Sequence, residues 1–166
     1  GGFNKREGKA SEHAILTSRV IDRPMRPLFP KDYRNDVTLV NMVMSVDPEC
    51  NPEIPAMLGS AIATCISDIP FDGPCATTQV GLINGEYIIN PTMAQKDVSD
   101  LQLTVASTRE KVIMIEAGAK EVPEDKMIEA IYKAHEVNQE IIKFIDKIVE
   151  ECGKPKHSYE SCAVPE

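Results

Sequence analysis

The stretch TQVGLINGEYII, Thr78 to Ile89, decides the fold. Two short runs rich in β-branched and apolar residues, Thr78 to Ile83 and Tyr87 to Ile89, flank Asn84-Gly85, the pair that most readily adopts the positive φ angles of a tight turn. An antiparallel hairpin is predicted there. Towards the C-terminus, Leu101 to Ala106 and Val112 to Ile115 read as a second strand pair around a turn from Ser107 to Lys111. The pattern then changes period. From Met127 to Cys152 apolar residues recur at intervals of three and four, through Ile128, Ile131, Ala134, Ile141, Ile145 and Ile148, the stripe of one long helix. Pro123, Glu124 and Asp125 open it, and Gly153 and Pro155 close it.

Towards the N-terminus, Pro70 to Pro74 breaks the chain. Asn51 suits a helix N-cap with Pro52 at the first helical position. The helix is expected to run to about Ser67, and its small residues Ala56, Gly59, Ala61 and Ala63 allow close approach to a sheet. Val37 to Val46 (VTLVNMVMSV) reads as a mostly buried strand. Ser11 caps a helix expected from Glu12 to Asp22, which Pro24 and Pro27 end. Gly1 to Lys9 reads as a loop and Pro155 to Glu166 as an unpatterned linker. This order of elements predicts an α/β fold with mixed sheets and packed helices, its two apolar cores meeting near Pro70 to Pro74.

The 166 residues are 42% hydrophobic and 27% charged, ordinary globular usage that excludes disordered, collagenous and coiled-coil classes. No apolar run approaches the roughly 20 residues that span a bilayer, so a cytoplasmic protein without membrane contact is expected. The start on Gly1-Gly2-Phe3 reads as mid-protein sequence. Five cysteines without a CxxC pair support neither a disulfide framework nor a zinc knuckle, and Cys65, in an apolar helical pattern, reads as a small buried hydrophobe.

The net charge of −8 is unevenly spread. From Gly1 to Arg34 eight basic residues face four acidic ones, and five of the six arginines lie in this stretch. Arginine is the side chain best shaped for forked contacts to phosphate, so an acidic body with one basic segment suggests a localised polyanion site. A solvated face or internal ion pairs would account for the same counts. Arg19, Arg23 and Arg26, at i, i+4 and i+7, would project from one side of a helix, towards a polyanion backbone, a small anion, or the carboxylates of Asp22 and Glu12. His13, His135 and His157 have no nucleophile beside them in sequence, and no catalytic histidine is expected. The absence of a glycine-rich phosphate loop disfavours a small-molecule kinase.

FNKREGKASEHAILTSRVIDRPMRPLFP (Phe3 to Pro30), NPEIPAMLGSAIATCISDIPFDGP (Asn51 to Pro74), GLINGEYIINPT (Gly81 to Thr92) and the final helix followed by Gly153-Lys154-Pro155 resemble the first ribonuclease-PH-like domain of the bacterial polynucleotide phosphorylases. The resemblance runs from Gly1 to about Pro155. It implies a ribonuclease-PH-like, ribosomal protein S5 domain 2-like α/β (α+β) fold, truncated at its N-terminus. Residues 1–74 would be the C-terminal part of a first subdomain, 75–153 a second subdomain, and 154–166 a linker towards a helical domain. The implied enzyme is a cytoplasmic trimeric ring that degrades RNA from its 3′ end with phosphate and releases nucleoside diphosphates. Its implied partners are single-stranded RNA, a second ribonuclease-PH-like domain of the same chain, and other components of an RNA-degrading assembly.

The resemblance further implies that phosphate and Mg²⁺ are bound in that second domain, with neither bound here. In the catalytic copy, serines at a helix start hold phosphate and a downstream Asp pair helps bind the metal. Here the matching positions are Pro52 and Glu53, and Asp100 and Gln102. Pro52 offers no N–H, Glu53 puts a carboxylate where a helix dipole would attract an anion, and Gln102 is neutral. This piece is therefore expected to be inactive alone. Phe3, Asn4, Lys5 and Arg6 match the loop that lines the family's central channel, where an aromatic ring stacks on a base and cations hold the strand. Asn4 departs from the variant with two adjacent aromatics, which predicts weaker stacking.

Overall fold

The computed structural model describes residues 8–162. Helix α1 spans Glu12–Met25, and the Ser11 side chain accepts from the Ala14 amide at its start. It continues past the expected end at Asp22, through Pro24, because a proline near a helix C-terminus forfeits one main-chain bond while burying its ring. A 3-10 turn, Arg26–Leu28, follows. Helix α2 spans Glu53–Ile66, close to the expected bounds.

Val37 to Val46 is not a strand. It is irregular, and Val40, Met42 and Met44 are 77%, 76% and 87% exposed. A strand of this composition needs neighbours to take up its main-chain hydrogen bonds, and none lies alongside it among the described residues. Its tie to the body is the hydroxyl of Ser60 on α2, which donates to Asn41 Oδ1 at 3.0 Å. Val37, Leu39, Asn41 and Val43 face α1 and α2 across an open cavity of about 990 Å³.

The sheet consists of β1 (Ala76–Ile83), β2 (Glu86–Ile89), β3 (Leu101–Ser107) and β4 (Val112–Ala119), ordered β2-β1-β3-β4 with every pair antiparallel. The β1–β2 hairpin turns at Asn84 (φ 51°) and Gly85 (φ 83°), as the Asn-Gly pair predicts. A short helix α3, Met93–Val98, which the sequence reading did not include, links the hairpin to β3. The long helix α4 spans Glu124–Cys152.

Alternation along the strands sends side chains to two cores. On one face Val80, Leu82, Leu101, Leu103 and Val105 pack with Ala130 and Ala134 of α4. On the other, Ala106 and Met114 join a second cluster with Ile54, Met57 and Cys65 of α2 and Ile21 and Met25 of α1, which Ile145 of α4 also enters. Phe71 and Cys75 belong to that cluster, so the break at Pro70 to Pro74 runs along a core. Ile128 departs from the expected stripe of α4 and is 53% exposed. On the same helix Asn138 is fully buried. Its Oδ1 accepts from Thr78 Oγ1 at 2.7 Å, and its Nδ2 donates to the Val105 carbonyl and Ser107 Oγ, beside the register shift between Ala106 and Ser107.

Residues 154–162, expected as a linker, are not helical and run back over the end of α2 and the turn that follows α1.

Candidate nucleic-acid interface

Helix α1 is the platform for the basic segment. Its inward face buries Ile21, Pro24 and Met25, and this fixes the rotation of the helix. Glu12, Ile15, Leu16, Arg19, Arg23 and the adjoining Arg26 are left exposed. The three arginines are not equivalent. Arg26 forks onto Asp22, with Nε 3.0 Å from Oδ2 and Nη2 2.9 Å from Oδ1, which consumes the geometry that would grip a phosphate. For Arg19 and Arg23, no carboxylate lies within ion-pair distance among the described residues. Lys31 and Arg34, in the following turn, line the large cavity together with Asp22, Asp36 and Glu53. Phe3, Asn4, Lys5 and Arg6 lie outside the described residues.

The positions matched to the catalytic copy begin across α1 from Arg19 and Arg23, and Pro52 and Glu53 line the same cavity as Lys31 and Arg34. At the start of α2, Pro52 occupies the N-cap position, and the expected cap, Asn51, still accepts from the Glu53 amide through Oδ1 at 3.0 Å. The carboxylate of Glu53 accepts from Asn51 Nδ2 at 2.8 Å and from Thr17 Oγ1 at 3.1 Å, and His13 Nε2 stands 3.8 Å away. The helix start thus has its own anion. Burial lowers the pKa of Lys96 on α3, and the charge of Glu53 opposes that shift. Gln102, exposed on β3, donates through Nε2 to the Lys96 carbonyl at 3.3 Å. Asp100 is exposed and bonds through its main chain, its amide donating to the Leu82 carbonyl and its carbonyl accepting from Lys120.

One carboxylate, Asp100, beside a neutral amide, Gln102, is a poor donor set for a hard divalent cation. Among the described residues no cluster of three or more His, Cys, Asp or Glu side chains is arranged to hold a metal ion.

Thr17 and Lys96 are site residues that the sequence reading missed. Lys96 had a legible signal: Thr92 and Gln95 form a capping box, in which Thr92 Oγ1 accepts from the Gln95 amide and Gln95 Oε1 from the Thr92 amide. The histidines lie apart, His13 by Glu53, His135 by Gln139 and His157 by Tyr33. All five cysteines are free, and burial raises the Cys65 thiol to about 11 and the Cys75 thiol to about 12.

No helix among the described residues is long and apolar enough to cross a membrane. A crystal structure of rice Rrp46 superposes on 87% of this chain and 69% of its own with a TM-score of 0.68 at 11% identity, a likeness of fold. The polyribonucleotide nucleotidyltransferase of Lachnoclostridium phytofermentans is 81% identical over all 166 residues. That of Shouchella clausii is 60% identical over 156 residues, 94% of the chain. The chain spans 24% and 22% of these two curated relatives. Residues 1–70 match domain 1 of the 3′ exoribonuclease family and residues 73–137 match its domain 2. With both halves of that family's pattern present in order along most of its length, the chain belongs to the 3′ exoribonuclease family.

Proposed function

We propose that this chain is the non-catalytic core part of a phosphate-dependent 3′-to-5′ exoribonuclease, in which it guides single-stranded RNA through the central channel of a trimeric ring. The whole protein would let a phosphate oxygen attack the phosphorus of the 3′-terminal linkage. A new P–O bond forms, the bond to the preceding 3′ oxygen breaks, and a nucleoside diphosphate leaves. Phosphate and Mg²⁺ would be held for this step in a second ribonuclease-PH-like domain of the same chain. Glu53 at the start of α2 supports that division of labour, since a carboxylate already bonded by Thr17 and Asn51 opposes a phosphate there.

The observation that carries the guiding role is the exposed pair Arg19 and Arg23 on α1, in contrast to Arg26 closed on Asp22. The test is oligo(A) binding by the full-length protein at several salt concentrations. Each phosphate contact on a single strand contributes about −0.7 to the log–log slope, so Arg19→Ala with Arg23→Ala should flatten it by about 1.4. Arg26→Ala should change it little. An unaltered slope in the double variant would overturn the reading.

Ile15 and Leu16, 40% and 56% exposed on the same face as these arginines, favour a second reading, a purely structural assembly surface. That reading expects salt-independent RNA binding and loss of ring assembly when Leu16→Glu is introduced.

A further inference from the structure

The geometry points to a latch: residues 154–162 close on the Asp32 carboxylate and fix the turn that carries Lys31 and Arg34, so that this wall of the cavity is held by the chain leaving α4. The strap is fastened at two places. At the first, the Lys154 amide donates to the Ile66 carbonyl at 2.9 Å and the His157 amide to the Asp68 carbonyl at 2.8 Å. Between them, Lys156 Nζ donates to the carbonyls of Thr64, Cys65 and Ser67 at 3.0, 2.9 and 2.7 Å. An ammonium carries three N–H donors, and all three are used on the carbonyls that a helix C-terminus leaves unpaired.

At the second place the strap meets the turn. Tyr159 OH donates to Asp32 Oδ1 at 2.9 Å, Ser161 Oγ to Oδ2 at 2.6 Å, and the Cys162 amide to the Asp32 carbonyl at 3.3 Å. The Tyr33 ring stacks edge-on against Tyr159 with centroids 5.0 Å apart, and its hydroxyl lies 3.4 Å from His157 Nε2. Both oxygens of one carboxylate and the carbonyl of the same residue are therefore engaged by three residues of the strap. Lys31 and Arg34 flank this pair, Asp32 and Tyr33, so their main chain cannot shift without opening these bonds.

The inference does not depend on RNA binding, and its test keeps the two apart. In the full-length protein, Asp32→Ala should raise hydrogen exchange at least tenfold at the hydrogen-bonded amides of Tyr33, His157 and Cys162 together. Tyr159→Phe with Ser161→Ala, which leaves the turn's own sequence intact, should do the same. Fast exchange confined to the strap, with the Tyr33 amide at the wild-type rate in the double variant, would overturn the latch. If Asp32→Ala fails to fold, the double variant decides the question alone. An unchanged salt slope for oligo(A) alongside fast exchange would leave the latch standing and count against an RNA contact by this wall.

Discussion

Cys65 and Cys75 sit in the cluster beneath α2, where burial keeps both thiols protonated at neutral pH, whereas Cys50, Cys152 and Cys162 are exposed. Brief iodoacetamide treatment followed by peptide mass mapping should modify those three and spare the two core thiols until denaturant is added. Asp32 makes a second prediction. The Ser161 hydroxyl, then the Tyr159 hydroxyl, hold its carboxyl below the ordinary 3.8, and Arg34 adds attraction, while the same hydrogen bond to Asp32 raises the Tyr159 phenol. A carboxylate with a depressed folded value stabilises the fold above its unfolded pKa and loses that contribution as pH falls through the folded one. Corrected for the intrinsic rate, exchange at the hydrogen-bonded amides of His157 and Cys162 should accelerate below about pH 4 in the wild type, with no such acid limb in Asp32→Asn. At this scale the sequence was most legible where residue type alone decides, as for Pro52 without an N–H and Glu53 at a helix start. It was silent on Thr17, and it offered Asp22 as a partner for Arg19, Arg23 and Arg26 without choosing among them, because a sequence shows which side chains share a helix face but not which neighbour is nearer.

Among the elements, the hairpin, the strand pair, α2 and α4 were readable because each buries a face whose period survives in the residues. Gly85, at φ 83°, offers a direct check on the hairpin: Gly85→Ala should cost about 1 to 2 kcal/mol, read as a shifted urea midpoint with an unchanged slope. Helix α3 went unread because six residues are too few to display a period, and its capping box was the sole cue. Val37 to Val46 fails in the other direction. Its composition is that of a strand, yet strand formation depends on neighbours that composition does not encode. Exposed apolar residues with free main-chain groups invite pairing with other chains. The 166-residue chain produced alone should therefore self-associate with concentration, and Met42→Glu with Met44→Lys should reduce its light scattering.

On the scale of the whole molecule, charge is less cleanly partitioned in space than in sequence. Arg19 and Arg23 lie on the opposite side of α1 from Thr17, the residue that bonds Glu53, whereas Lys31 and Arg34 share their cavity with Asp22, Asp36 and Glu53, so a polyanion contact rests on the two exposed arginines of α1. The family's two-part pattern was legible from the motifs. Its division of labour between domains was legible only as an expectation, of which the salt-slope experiment tests the guiding half. The buried amide of Asn138 has a further consequence. An apolar stripe recurring every three or four residues is nearly indifferent to sliding by one turn, so α4 could in principle settle on the sheet in several positions of similar hydrophobic merit. Only one of them brings an amide to Thr78, Val105 and Ser107 together; any other strands polar groups in oil. Replacing it with leucine should thus yield not merely a weaker protein but a less singular one, with broadened side-chain resonances along the helix.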